Sequence, residues 1–218
     1  MAVILVGGEK GGAGKTTDAI NLAVMRAIAG SDVLLLDADK QLTTSTWETV
    51  RGEEGVMPRV PTVQKLGSGI PAQVQDFKGR YADIIIDSGG RDTPELRYCL
   101  AVADKAFIPV LPSDFDTWTL RTMDRLVEMA KAFNPELKAY ILIGRASTHP
   151  QSKEVEDTRK DILAEKFEHL TLAETVIYER VAYRKAARNG RAIVELLSKD
   201  RDEKALAEIE AFYQEVFK

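Results

Sequence analysis

Two lysines and two threonines lie within eight residues of a run of glycines, in Lys10-Gly11-Gly12-Ala13-Gly14-Lys15-Thr16-Thr17, directly after the apolar run Val3-Ile4-Leu5-Val6. Glycines leave backbone N–H groups unshielded, so a loop of this kind at the start of a helix can surround phosphate oxygens. In that chemistry Lys15 reaches the outer phosphates and the Thr16 hydroxyl ligates Mg²⁺. The spacing departs from the usual phosphate loop at one point, since Glu9 stands where a glycine is expected, beside the extra lysine Lys10. Further acids close apolar runs: Asp37 and Asp39 follow Val33-Leu34-Leu35-Leu36, and Asp87 follows Ile84-Ile85-Ile86. At the carboxyl ends of parallel strands such acids face the ligand edge of an open sheet. There Asp87 suits organising Mg²⁺ and Asp39 suits orienting an attacking water.

The elements that must hold these residues are legible as an alternation. Short apolar runs at 3–6, 33–36, 83–86, 106–111 and 139–143 read as strands, and the segments 15–29, 93–103, 116–132, 151–167 and 201–217 read as helices. The pattern predicts an α/β fold, a mainly parallel twisted sheet with helices on both faces, as one P-loop domain over 1–218. Near-continuous apolar strands fit burial on both sides. The stretch 52–71, rich in Gly and Pro, reads as a surface excursion between sheet elements.

Composition narrows the function classes. A chain that is 44% hydrophobic and 29% charged has the balance of a globular protein, and no apolar stretch approaches the roughly 18 residues that span a bilayer. No leader sequence is evident, so a cytoplasmic location is expected. Cys99 is the one cysteine, which excludes an intrachain disulfide and any cysteine-pair metal site within the chain, and it is expected on a buried helix face. The net charge of -4 gives no global attraction to nucleic acid, so such binding needs a local patch.

Taken together, K-G-G-x-G-K-T-T at Lys10–Thr17, D-x-D-x-Q at Asp37–Gln41, "IPVLPSDFDTW" at 108–118 and "ERVAYRKAARNGRAIVEL" at 179–196 resemble the ParA/MinD family of deviant Walker ATPases. The resemblance runs from residue 2 to about 197 and is closest to small plasmid-partition proteins without an operator-reading extension. It implies ATP and Mg²⁺ as cofactors and an ATP-sandwich homodimer in which Lys10 reaches the phosphates of the partner subunit, as an arginine finger does. It further implies catalytic roles for Lys10, Lys15 and Asp39, metal-site roles for Thr16, Asp39 and Asp87, and nucleotide contacts from Lys10, Gly11, Gly12, Ala13, Gly14, Lys15, Thr16 and Thr17. Asp39 falls in switch I, Ser88-Gly89-Gly90-Arg91-Asp92 forms switch II, and Arg145 with Ile177 to Val181 forms the adenine pocket. Departures from the family pattern are Glu9, Asp18, Lys40, Gly144 and Tyr178. Asp18 is expected to point to solvent.

Five basic residues fall in twelve positions, Arg180, Arg184, Lys185, Arg188 and Arg191, and a helix would place four of them on one face. In the family this region contributes to nonspecific binding of double-stranded DNA, so a nucleoid-associated protein working with a ParB-like or other cargo-adaptor partner is implied. A MinD-like membrane switch is the alternative, and it would need a basic amphipathic C-terminal helix. The tail does have an apolar stripe, Leu206, Ile209, Phe212, Tyr213 and Val216, but its other face is acidic, so core packing is expected and no membrane partner.

Overall fold

The structure, a computed structural model, describes residues 1–90, 93–112 and 117–218. Arg91 and Asp92 of the expected switch II, and 113–116 of the "IPVLPSDFDTW" stretch, lie outside the described residues.

Seven strands form one sheet: β1 (Ala2–Val6), β2 (Val33–Ala38), β3 (Thr62–Gln64), β4 (Asp83–Ser88), β5 (Lys105–Val110), β6 (Lys138–Ala146) and β7 (Leu170–Tyr178). Their order is β3-β2-β4-β1-β5-β6-β7 and every pairing is parallel. The expected α/β class is observed. Side chains alternate between two cores, as the period of two requires. Val3, Leu5, Ile84 and Ile86 face one core, and Ile4, Val6 and Ile85 face the other. That two-sided burial explains the unbroken apolar runs.

The first core is covered by α3 (Ile70–Lys78), α4 (Pro94–Leu100), α5 (Thr117–Lys131) and α6 (Glu154–Glu165), and the second by α1 (Lys15–Ile28), α2 (Thr43–Glu53), α7 (Val181–Arg188) and α8 (Glu203–Phe217). Cys99 is buried on α4, as expected. In α8, capped by Asp202, residues Ile209, Phe212 and Val216 are buried and Leu206 and Tyr213 pack against the same core. Its apolar stripe is therefore used internally. Among the described residues no helix is long and apolar enough to cross a membrane.

One reading of the sequence is corrected here, and one edge strand was not read at all. The stretch 52–71 is more than a surface excursion, because β3 extends the sheet beside β2 through Leu35, Leu36 and Asp37. β7 forms the opposite edge, and its half-exposed side chains lack the continuous apolar run that marked the inner strands. β1 lies between β4 and β5, so the chain leaves the sheet centre in opposite directions on its two sides. A crevice at the carboxyl ends of the central strands follows from that reversal.

Candidate nucleotide-binding site

At that crevice lies a cavity of about 800 Å³, lined by residues 11–18, by Asp39, Lys40 and Gln41, by Gly89 and Gly90, and by Arg145 with the segment 177–180. The loop after β1 enters α1 through Gly14, whose φ of 99° is the left-handed conformation that a side chain disfavours. The first turn of α1 thus begins with its N–H groups facing the cavity, where a helix dipole favours an anion.

Lys15 is buried and its ammonium donates to the Lys10 carbonyl at 2.5 Å. Burial lowers its pKa, with Asp87, Asp39 and Asp18 acting in the opposite direction. Lys10 itself stands just outside the described lining of the cavity. Asp87 is fully buried, and its Oδ2 accepts from Thr16 Oγ1 at 2.7 Å and from Thr44 Oγ1 at 2.5 Å. Its Oδ1 has no hydrogen-bond partner among the described residues. Burial pushes the Asp87 carboxyl up to about 7, against the two hydroxyl bonds. An orphaned carboxylate oxygen beside a threonine hydroxyl fits a divalent cation. Among the described residues no three acidic, His or Cys side chains gather to hold a metal alone.

Asp37 organises the segment that follows β2. Its Oδ1 accepts from the Asp39 N–H at 3.1 Å, and its Oδ2 accepts from Ser45 N–H at 2.9 Å and Ser45 Oγ at 2.7 Å. Asp39 is left half-exposed on the cavity wall, its Oδ1 accepting from the Gln41 N–H at 3.0 Å. A Cβ on Gly89 would come within 3.0 Å of that carboxylate, and one on Gly90 within 2.9 Å of the Lys15 ammonium. The segments after β2 and β4 therefore meet over the phosphate loop. Lys40 pairs with Glu95 of α4 at 3.7 Å.

Arg145 reaches the same loop from the end of β6. Its guanidinium donates to the Gly12 carbonyl and pairs with Glu179 at 2.9 Å. Asp18 contradicts the expectation of a solvent-facing acid: it is 1% exposed, and neither carboxylate oxygen has a partner among the described residues. Position 18 sits one turn into α1 on its inward face, so the helix has no room to turn it outward. Burial raises its pKa well above the ordinary value, Asp87 adding to the effect and Lys15 opposing it.

The basic cluster divides. Arg184, Lys185 and Arg188 are exposed on α7, and Arg191 is half-buried just beyond it. Arg180 instead precedes the helix and forms an ion pair with Glu208 of α8, both side chains largely buried. The four-residue spacing placed it in the row, but the chain is extended at 180, so the periodicity does not apply there. Thr44 was missed altogether, although the hydroxyl-rich run Thr43-Thr44-Ser45-Thr46 after Gln41 was its signal.

The profile of the CobQ/CobB/MinD/ParA nucleotide-binding domain matches residues 4–193. The chain belongs to this family. The protein named ParA from Rhizobium radiobacter is 25% identical over 222 residues, covering 100% of this chain and 97% of its own length. The maintenance of carboxysome distribution protein A of Halothiobacillus neapolitanus is 27% identical over 214 residues, covering 98% and 95%. The fold is that of the septum site-determining protein MinD from Pyrococcus horikoshii, solved in complex with Mg-ADP, with a TM-score of 0.71 and 18% identity over 100% of this chain and 96% of that one. The ParA/MinD resemblance read from the motifs is thus correct, and the cavity lies within the matched nucleotide-binding domain.

Proposed function

We propose that this protein binds ATP with Mg²⁺, dimerises through the face that carries the cavity, and in that state holds nonspecific duplex DNA. Hydrolysis, accelerated by a cargo-adaptor partner, then releases it. The observation that carries the reading is the convergence of Lys15, Thr16 and Asp39 on one cavity, with Asp87 buried behind Thr16 and bonded to it.

In the bound state the Lys15 ammonium exchanges the Lys10 carbonyl for phosphate oxygens, and the loop N–H groups take the remaining charge. Thr16 and Asp87 would hold Mg²⁺, which when bound would neutralise developing charge on the phosphates. Asp39 orients the attacking water from the opposite wall. Lys10 supplies positive charge to the partner's nucleotide, so hydrolysis requires the dimer. Partition of plasmid or chromosomal DNA, or positioning of a protein cargo, is the biological setting supported by the names of relatives called a chromosome partitioning protein, a putative plasmid partition protein and a maintenance of carboxysome distribution protein. The internal use of the α8 stripe disfavours the membrane-associated alternative.

The reading is tested by titrating random duplex DNA with the protein in ATP and in ADP at several salt concentrations. Salt-sensitive binding in ATP that falls at least about tenfold in Arg184→Ala/Arg188→Ala supports it, in line with loss of phosphate contacts. Equal binding in both nucleotides, or none, refutes it.

A further inference from the structure

One helix face joins the cavity to the basic segment. α2 carries Thr44, Trp47 and Arg51 at i, i+3 and i+7, and all three are buried. At its first turn Thr44 bonds Asp87 Oδ2, the oxygen that Thr16 also holds. One turn on, the Trp47 indole N–H donates to the Arg191 carbonyl at 3.3 Å. At the third turn the Arg51 guanidinium donates to the Gly190 carbonyl at 2.8 Å and pairs with both Glu195 oxygens at 2.7 and 2.8 Å. Its remaining N–H groups reach the Pro58 carbonyl at 2.7 and 3.1 Å.

The contact between the two segments is backbone against backbone. Gly190 has a φ of 62°, and a Cβ there would lie 2.5 Å from the Arg51 Cα and N. No other residue fits that approach. Arg51 is 1% exposed, and a buried ion pair is a costly way to fill space that apolar side chains would fill as well. What it adds is direction: the bonds fix where 190–195 sits relative to α2.

We propose that α2 is a strut that carries the nucleotide state from Asp87 to the basic segment, with Trp47 and Arg51 as positioning residues. When the open Asp87 Oδ1 engages a cation, the carboxylate turns, its Oδ2 bond to Thr44 changes and the first turn of α2 shifts. A packed helix of 11 residues moves as one body, so Arg51 and Trp47 move Gly190 and Arg191 with it. The strut gives nucleotide-dependent placement of Arg188 and Arg191, and it rests on the reading of these residues as the DNA face only for the consequence of that movement.

The experiment compares the full chain and Arg51→Gln/Glu195→Gln, which keeps polar groups while removing the paired charges. Amide hydrogen exchange over 188–196 is followed with and without a non-hydrolysable ATP analogue and Mg²⁺. The full chain is expected to change exchange there by at least about threefold on nucleotide addition, and the variant to lose most of that change while its analogue affinity stays within about twofold. Trp47→Phe, which removes the indole donor at similar volume, serves as the second variant should the first fail to fold. The chain with Trp47 intact is read in a Trp118→Phe background as well, where the fluorescence of Trp47 alone reports the nucleotide. Unchanged nucleotide response in a folded variant overturns the strut, as does no response in the full chain. DNA titration of the same proteins separates the two readings. Nucleotide-linked exchange without DNA binding would refute the DNA face and leave the strut, and ATP-dependent DNA binding without nucleotide-linked exchange would do the reverse.

Discussion

Asp83 and Asp87 stand at opposite ends of β4, and both are withdrawn from water. Asp83 is surrounded by donors: Arg26 at 2.9 Å, Ser31 at 2.8 Å and the Ala2 N–H at 3.0 Å. Burial pushes its carboxyl up, but the bonds from Arg26 and Ser31 outweigh this and leave the pKa below the ordinary value. Asp87 has two hydroxyl donors on one oxygen and none among the described residues on the other, and burial raises it to about 7. The same residue type on the same strand is satisfied where it closes the sheet and left wanting where the cavity opens. Unmet polar demand therefore marks the working end of the sheet better than charge alone does.

The contrast is broken most severely at Asp83. Asp83→Ala leaves Arg26 facing a cavity and is expected to cost about 3 kcal/mol in denaturant unfolding at neutral pH, with nucleotide affinity little changed. Asp87→Asn should do the opposite. The nucleotide-free variant should gain about 1–3 kcal/mol at pH 8, because no ionised carboxylate is left buried, while Mg²⁺-dependent nucleotide binding falls sharply. The pH profiles sharpen the same point. The folded pKa of Asp87 exceeds its ordinary 3.8, so its contribution is full at low pH and is lost as pH rises from about 4 to about 7. That of Asp83 is depressed, so its contribution is present above the ordinary carboxylate range and lost as pH falls through it. Unfolding of each variant across pH 3 to 8, without nucleotide, separates the two slopes. A smaller effect is expected from Arg180→Ala, about 1–2 kcal/mol in stability with DNA affinity unchanged, since Arg180 is committed to Glu208. Arg145→Ala should change stability by less than about 1 kcal/mol, because its pair with Glu179 is exposed, and should weaken nucleotide binding several-fold.

The inner strands were legible because burial on both faces writes an unbroken apolar run, as in Ile84-Ile85-Ile86. The edges were not. β3 has three residues, and β7 scatters three buried positions among exposed and half-buried ones. α2 was hidden for a related reason: Thr43-Thr44-Ser45-Thr46 has little helical preference, and the helix is held by Trp47 and Arg51 through contacts distant in sequence. In the site, Lys15, Thr16 and Asp87 could be read from local spacing because loop and strand ends bring them together directly. Asp18 could not, since which face of the first turn points inward depends on the sheet behind it. Arg180 shows the same limit, where helical spacing was extended one residue beyond the helix.

The division of labour between the two lysines is the centre of this account, and it is tested most directly by ATP affinity and ATP-dependent self-association of Lys10→Ala and Lys15→Ala, measured side by side. Loss of a buried charged contact to phosphate should weaken ATP binding on the order of 100-fold in Lys15→Ala. Lys10→Ala should bind ATP nearly as the unaltered protein does and remain monomeric. Equal loss of ATP binding in the two variants, or an intact ATP dimer in Lys10→Ala, would contradict it.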